Sequence, residues 1–186
     1  MTFTSLARLV ACLMTIASCV GAATPAVVES GADGMSQVAG LWRHDGDPFT
    51  GILIERDPSG VARMALSLAA GRPDGLEWRW YEDGQLESVR RYEGGRKVGR
   101  HSGWWPGGFT RFDADYANDA FHGRYRAWHA SGRMSDYRTY FQGREKGTQR
   151  GWTADGVLFF NYEVRDGRRF GLLNARPCVP AGKVTS

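Results

Sequence analysis

The side chains that could perform chemistry in this chain are its histidines and a group of aspartates. A protein metal site needs three or four ligands that converge on one point. The histidines fall at four different positions of the repeat described below, which predicts separate surface or packing roles for His44, His101, His122 and His129. An acidic group of Asp113, Asp115 and Asp119 has the ligand chemistry that Ca²⁺ prefers, although solvated aspartates are the more common outcome.

Catalytic motifs are missing from the sequence. It contains no His-Glu-x-x-His, no Cys-x-x-Cys and no Gly-x-Ser-x-Gly. Gly94 and Gly99 have the spacing of a phosphate-binding loop, but Arg100 and His101 stand where that loop needs Lys and Ser or Thr. We therefore predict no catalytic residues, no cofactor and no metal, and a protein that is not an enzyme.

The glycines instead follow a fixed period of 24 residues. One series is Gly51, Gly75, Gly99, Gly123, Gly147 and Gly171, and a second is Gly60, Gly84, Gly108, Gly132 and Gly156. Aromatic residues keep the same interval at Trp80, Trp104, Trp128 and Trp152 and at Tyr92, Tyr116 and Tyr140. A constant period of this length is the signature of a repeat architecture.

One repeat has the pattern of a β-hairpin. In residues 75–98, GLEWRWYEDGQLESVRRYEGGRKV, an aromatic segment is followed by Glu82-Asp83-Gly84 and a returning segment. A three-residue connection that ends in a left-handed glycine closes such hairpins. The sequence predicts an all-β fold, an extended single-layer antiparallel sheet of 24-residue hairpins, with units 51–74, 75–98, 99–122, 123–146 and 147–170. Residues 38–50 are expected to supply its first strand.

The predicted register distributes the side chains between two faces. With residues 82–84 as the loop, Trp80 faces Leu86, and simple alternation places Trp80, Leu86 and Tyr92 on one apolar face. The tryptophan and tyrosine columns are therefore predicted to form the structural core of the repeats, with each tryptophan packed on its counterparts. The opposite face carries more charge.

Two further columns are candidates for binding. Tyr81, Trp105 and His129 recur beside the tryptophans on the more polar face, and we predict that they contact a partner. Arg96 and Arg144 lie at the turns between repeats, where solvated arginines are usual and contact with anionic lipid headgroups is the alternative. If the tryptophan face stays open instead, rings about 9.6 Å apart would suit an extended ligand such as a cell-wall glycan.

The N-terminus has the pattern of an export signal. An apolar run at residues 9–17 is too short to span a bilayer and ends in small residues. Ile16-Ala17-Ser18-Cys19 resembles the bacterial lipobox, which would make Cys19 an acylated first residue, whereas cleavage after Ala22 is the alternative. We predict a signal segment at 1–19, a flexible tether at 20–37, the repeat domain at 38–174 and a C-terminal tail at 175–186. The expected location is extracytoplasmic, in the periplasm or on the outer membrane as a lipoprotein.

The repeat unit resembles the variant MORN repeat of bacterial proteins. The pattern G-x₄-W-Y-x-D-G-x-L-x₅-Y-x₂-G-x-K fits residues 75–98 and 123–146 best, and Asp45–Gly51 resembles the family's entry phrase. The resemblance implies a hairpin sheet used as an interaction surface, and some members are antitoxins of toxin–antitoxin pairs. A protein partner is therefore the leading expectation, and neutralisation of a toxin is the alternative. Nucleic acid is not expected outside the cytoplasm, and exposed terminal strands allow an edge-to-edge homodimer.

Overall fold

The computed structural model describes residues 24–172, and these residues fold into sixteen β-strands without a helix. The predicted all-β class is confirmed. The first eight strands are β1 (Val27–Glu29), β2 (Met35–Val38), β3 (Leu41–His44), β4 (Asp47–Pro48), β5 (Gly51–Arg56), β6 (Ala62–Ala69), β7 (Arg72–Trp80) and β8 (Leu86–Glu93). The remaining eight are β9 (Arg96–Lys97), β10 (Gly99–Trp104), β11 (Thr110–Ala117), β12 (Ala120–Trp128), β13 (Met134–Phe141), β14 (Arg144–Trp152), β15 (Leu158–Arg165) and β16 (Arg168–Leu172).

Thirteen of these strands form one extended sheet that follows the chain in order. The sheet runs β1-β5-β6-β7-β8-β10-β11-β12-β13-β14-β15-β16, with β9 paired to β8. Every pairing is antiparallel except that of β1 with β5, which is parallel. The predicted sheet of consecutive hairpins is thus confirmed, with one additional parallel strand at its N-terminal edge.

Each hairpin closes on a glycine in the left-handed region. In the second repeat, the Gly84 amide donates to the Tyr81 carbonyl at 3.0 Å, and the Tyr81 amide donates to the Gln85 carbonyl at 2.9 Å. Gly84 has φ 79°, a conformation that strains any residue with a Cβ atom. The predicted pairing of Trp80 with Leu86 follows from this turn and is present.

A bulge directly after this pair changes the distribution of side chains between the faces. Trp80 pairs with Leu86, but Arg79 pairs with Ser88, so that Glu87 is one residue in excess. The register shifts at the same point in all five hairpins. The prediction that Trp80 and Tyr92 share a face is therefore wrong, because the bulge moves the tryptophans to the side opposite the tyrosines.

A small second layer covers the N-terminal end of the sheet. Strands β2, β3 and β4 form a separate three-stranded sheet, and its Met35 and Trp42 pack on the buried residues Phe49, Leu53, Met64, Leu66 and Leu68. The Trp42 amide donates to the Gly71 carbonyl at 2.9 Å, which fixes this layer to the first repeat. We call residues 35–49 the cap.

The cap and β1 correct two predictions about the N-terminal segment. Residues 27–29 and 35–38 are strands and not part of a flexible tether, because Val28 packs into the core and β2 pairs with β3. The first strand of the main sheet is β1 rather than a strand from residues 38–50, which belong mostly to the cap. The predicted signal segment with Cys19 and the predicted tail at 175–186, which contains Cys178, lie outside the described residues.

Candidate binding surfaces

One side of the sheet carries a continuous series of aromatic rings, and we call this side the tyrosine face. Cross-strand partners share a face, and the register places Tyr92, Tyr116 and Tyr140 on the same side as Gly75, Gly99 and Gly123. Ring centroids are separated by 5.9 Å from Tyr92 to His101 and by 4.5 Å from His101 to Tyr116. The series continues through Phe121, which lies 4.6 Å from Tyr116 and 5.0 Å from Tyr140.

A buried carboxylate with two arginines lies at one end of this ring series. Glu77 is only 5% exposed and forms ion pairs with Arg79 and, at 3.4 Å, with Arg90. Burial, and then the charge of Glu77, raise the pKa of Tyr92 above its usual value, so its hydroxyl keeps its proton. The two guanidinium groups compensate the charge of the buried carboxylate, and their own side chains stay partly exposed, so that water solvates the remaining positive charge.

A second ionic group lies at the other end of the tyrosine face. Glu145 pairs with Arg138 at 3.4 Å and with Arg169 at 2.9 Å, and it accepts a hydrogen bond from the Tyr162 hydroxyl at 3.1 Å. Arg138 also pairs with Asp136 at 3.0 Å and stacks 4.9 Å from the Phe160 ring. These contacts hold long charged side chains flat against the sheet.

Polar side chains at the third position of each repeat line the middle of the same face. His101 is 3% exposed and its Nε2–H donates to the Arg91 carbonyl at 2.9 Å, while the Gln149 amide donates to the Thr139 carbonyl at 2.8 Å. Arg91 and Thr139 occupy equivalent repeat positions. Burial lowers the pKa of His101 below its ordinary value of 6.5, an effect that the nearby charges of Arg90 and Lys97 reinforce.

We expect the variant His101→Gln to have a flatter pH dependence of stability than the wild type. Since the folded protein lowers the pKa of His101, this residue costs no stability above pH 6.5 but progressively destabilises the fold as the pH falls below that value. Glutamine does not titrate and can make the hydrogen bond that Gln149 makes. The measurement is urea unfolding of both proteins from pH 8 to pH 5; parallel curves over this range would contradict the expectation.

The composition of the tyrosine face changes where the cap ends. Under the cap this face carries aliphatic residues, Leu53, Met64, Leu66 and Leu68. Beyond the cap, no further layer in residues 24–172 covers it, and the same repeat positions hold mostly aromatic and polar side chains, with a second buried cluster of Phe160, Tyr162 and Val164 at the far end. The aliphatic part is a closed core, whereas the remainder is a polar aromatic surface.

The opposite side of the sheet, the tryptophan face, carries Trp80, Trp104, Trp128 and Trp152. Each is half-buried and pairs across its hairpin with Leu86, Thr110, Met134 or Leu158. None of the aromatic contacts within residues 24–172 joins two tryptophans, which corrects the expectation that these rings pack on each other. One strand lies between each tryptophan-bearing strand and the next, which keeps the rings apart.

The predicted binding column of Tyr81, Trp105 and His129 has a role within the fold. The Tyr81 hydroxyl donates to the Trp104 carbonyl at 2.8 Å, the Trp105 indole to the Trp128 carbonyl at 2.9 Å, and His129 Nε2 to the Trp152 carbonyl at 3.0 Å. Each side chain thus joins its hairpin to the next one. Contact of this column with another molecule stays a prediction. The polar atoms of these three side chains already form hydrogen bonds within the fold.

Other predicted site residues are distributed along the sheet. Arg96 and Arg144 are exposed at the turns between repeats, and no carboxylate of residues 24–172 lies within 4.0 Å of either. The aspartates of the proposed acidic group face different partners: Asp113 binds Ser102 and Arg126, while Asp119 accepts from the Lys97 amide. The described residues hold no group of three His, Cys, Asp or Glu suited to a metal, and among them no helix is long and apolar enough to cross a bilayer.

The ionic groups of the tyrosine face were not recognised in the sequence. The third repeat position holds Leu53, Glu77, His101, Tyr125 and Gln149, which share no residue type and so form no visible column. Polar residues at a position where the first repeat has a core leucine would have been the signal, and three of them, Glu77, His101 and Gln149, are buried. Comparison with protein families, curated proteins and solved structures finds no match to this chain, so the MORN resemblance stays a prediction.

Proposed function

We propose that the chain is an exported binding module of the cell envelope that holds a protein partner on its tyrosine face and performs no catalysis. The observation that carries the proposal is the ring series that ends in the partly exposed Tyr116, Phe121 and Tyr140, on a part of the sheet that no second layer of residues 24–172 covers. One ionic group around Glu77 and another around Glu145 bound the series. Export is supported by the leader-like N-terminal sequence, and use as an interaction surface by the resemblance to MORN repeats.

The chemistry of this face favours a protein over other ligands. Tyrosine and arginine are the residues most enriched at the energetic centres of protein interfaces. Here they are held by ring packing and ion pairs, so that binding would cost little side-chain entropy. The faces of the rings cover one another, with Phe121 and Tyr140 inclined by 27° at 5.0 Å, which leaves ring edges and hydroxyls for a partner.

Photo-crosslinking in cells tests the proposal. The photoreactive residue p-benzoylphenylalanine would replace Phe121 in the middle of the ring series and, as a control, Phe109, which is 57% exposed in a hairpin turn. We expect a discrete protein adduct from position 121 and none of the same mass from position 109. Absence of an adduct at position 121, or an identical adduct from both positions, would contradict binding at this face.

The intact mass of the chain purified from cells tests the envelope location separately. An acylated N-terminus at Cys19 or a chain that begins at Ala23 would each support export. An unprocessed chain that still begins at Met1 would contradict it, whatever the crosslinking result.

A further inference from the structure

Four tryptophans of the tryptophan face lie in one line across the strands. Trp80, Trp104, Trp128 and Trp152 each stand at the bulge of their own hairpin, so all four are held at the same height along the strands. Two strands separate each ring from the next, which corresponds to about 9.6 Å. No strand of residues 24–172 covers this line, because the cap packs on the other face. At Trp128 the Arg126 guanidinium lies 5.7 Å from the ring centroid, so that a ligand would share this ring with the arginine.

A polar row runs parallel to the line of rings. In the strands that hold Trp104, Trp128 and Trp152, the row lies two residues before the tryptophan, about 6.8 Å from it. Cross-strand pairing aligns six residues in this row: Ser102, Asp113, Arg126, Tyr137, Arg150 and Asn161. Ser102 donates to Asp113 at 2.7 Å, Arg126 donates to Asp113 at 3.0 Å and Arg150 donates to Asn161 at 3.1 Å. Donors and acceptors thus follow the rings from Trp104 to Trp152, whereas Val89 and Trp78 continue the row beside Trp80.

The geometry points to an extended β-1,4-linked glycan strand as the ligand of this face. In such a strand successive sugars are turned by about half a revolution, so every second sugar presents the same apolar face to the same side. The length of two linked hexose units is close to the two-strand spacing of the rings. One sugar in two would therefore stack on a tryptophan, while hydroxyls or acetamido groups would bind the polar row.

The tyrosine face does not offer this geometry. Its neighbouring rings lie 4.5 to 5.9 Å apart and cover each other, so no sugar can lie on them. The glycan site is thus separate from the surface proposed for a protein partner and does not depend on it. A chain that binds both would connect the partner to cell-wall polysaccharide.

Calorimetric titration of the mature chain with chitohexaose tests the inference, with maltohexaose as the control sugar. Maltohexaose has the same number of hexoses, but its α-1,4 links curve the chain away from a straight line of rings. We expect binding of chitohexaose and no binding of maltohexaose. Failure of the folded wild type to bind chitohexaose, or equal affinity for both sugars, would overturn the inference.

Variants locate the site on the tryptophan face. Trp104→Leu with Trp128→Leu is expected to weaken chitohexaose binding by up to about tenfold for each ring lost. Phe141→Leu is the matched control, because Phe141 is 47% exposed on the same face but lies at the turn edge, away from the line of rings. Unchanged affinity in the tryptophan variant, or an equal loss in the control, would contradict the assignment.

A polar-row variant keeps the test decisive if the tryptophan variant does not fold. Arg150 is exposed, so Arg150→Ala should leave the fold intact while it removes a donor from the middle of the row. We expect a loss of affinity of about fivefold. An affinity equal to that of the wild type in the folded variant would count against the proposed site. Crosslinking at Phe121 is expected to be unaffected by all of these changes, which separates this inference from the proposed protein partner.

Discussion

Replacing Leu53 by alanine is expected to lower the free energy of unfolding by about 3 to 5 kcal/mol. Leu53 is 0% exposed and lies at the centre of the buried cluster between the main sheet and the cap. Truncation removes transfer free energy and leaves a cavity that Met64 and Leu66 cannot fill without moving the strands. The measurement is equilibrium unfolding in urea, followed by tryptophan fluorescence.

The adjacent residue Ile54 provides the matched control. It pairs with Ala65 on the tryptophan face, where it is only half-buried and no second layer covers it. Ile54→Ala should therefore cost less than about 2 kcal/mol. Equal costs for the two neighbours would mean that the cap does not distinguish the faces as described.

The second large effect is expected at Glu77. Its carboxylate is almost fully buried and contacts Arg79 and Arg90 on the tyrosine face. Glu77→Ala removes a buried carboxylate that accepts hydrogen bonds from both guanidinium groups, and it leaves the space of that carboxylate empty, which should destabilise the fold by about 2 to 4 kcal/mol. Urea unfolding at neutral pH measures the effect.

A more exposed carboxylate–arginine pair controls for loss of an ion pair as such. Glu87 lies 3.3 Å from Arg111, and both side chains remain nearly one-third exposed. Glu87→Ala should cost no more than about 1 kcal/mol, because the Glu87 carboxylate, unlike that of Glu77, is partly solvated in the folded protein. If Glu77→Ala were as mild as Glu87→Ala, the group around Glu77 would be a surface feature rather than a buried support of the tyrosine face.

The repeat period and the turns could be predicted because they depend on single residues with strong backbone preferences. The hairpin turn needs a left-handed residue, which is Gly84. The place of this glycine in the sequence is enough to predict that Trp80 pairs with Leu86. The bulge could not be predicted in this way, because its excess residue, Glu87, has no backbone preference that marks a bulge. The bulge also recurs in every hairpin and therefore does not alter the 24-residue period. One extra residue was enough to exchange the face of every tryptophan.

The N-terminal strands escaped prediction for a different reason. Strand β1 has three residues in a segment rich in Ala, Gly and Ser, a composition typical of linkers. It is ordered by contacts far along the chain, through pairing with β5 and burial of Val28 against the core. The ionic groups of the tyrosine face were missed because Arg90, Arg138 and Arg169 pair with Glu77 or Glu145 from other strands, to which no local pattern connects them.

The separation of the two faces by the bulge is the central claim, and nuclear Overhauser contacts of Phe112 test it most directly. With the bulge, Phe112 pairs with Gly103 and its ring lies over that glycine, where an added Cβ atom would overlap it. Contacts from the Phe112 ring to the Gly103 α-protons are therefore predicted. Without the bulge, Phe112 would pair with Ser102 on the side of Trp104, and contacts from its ring to the Ser102 β-protons and the Trp104 indole would contradict the account.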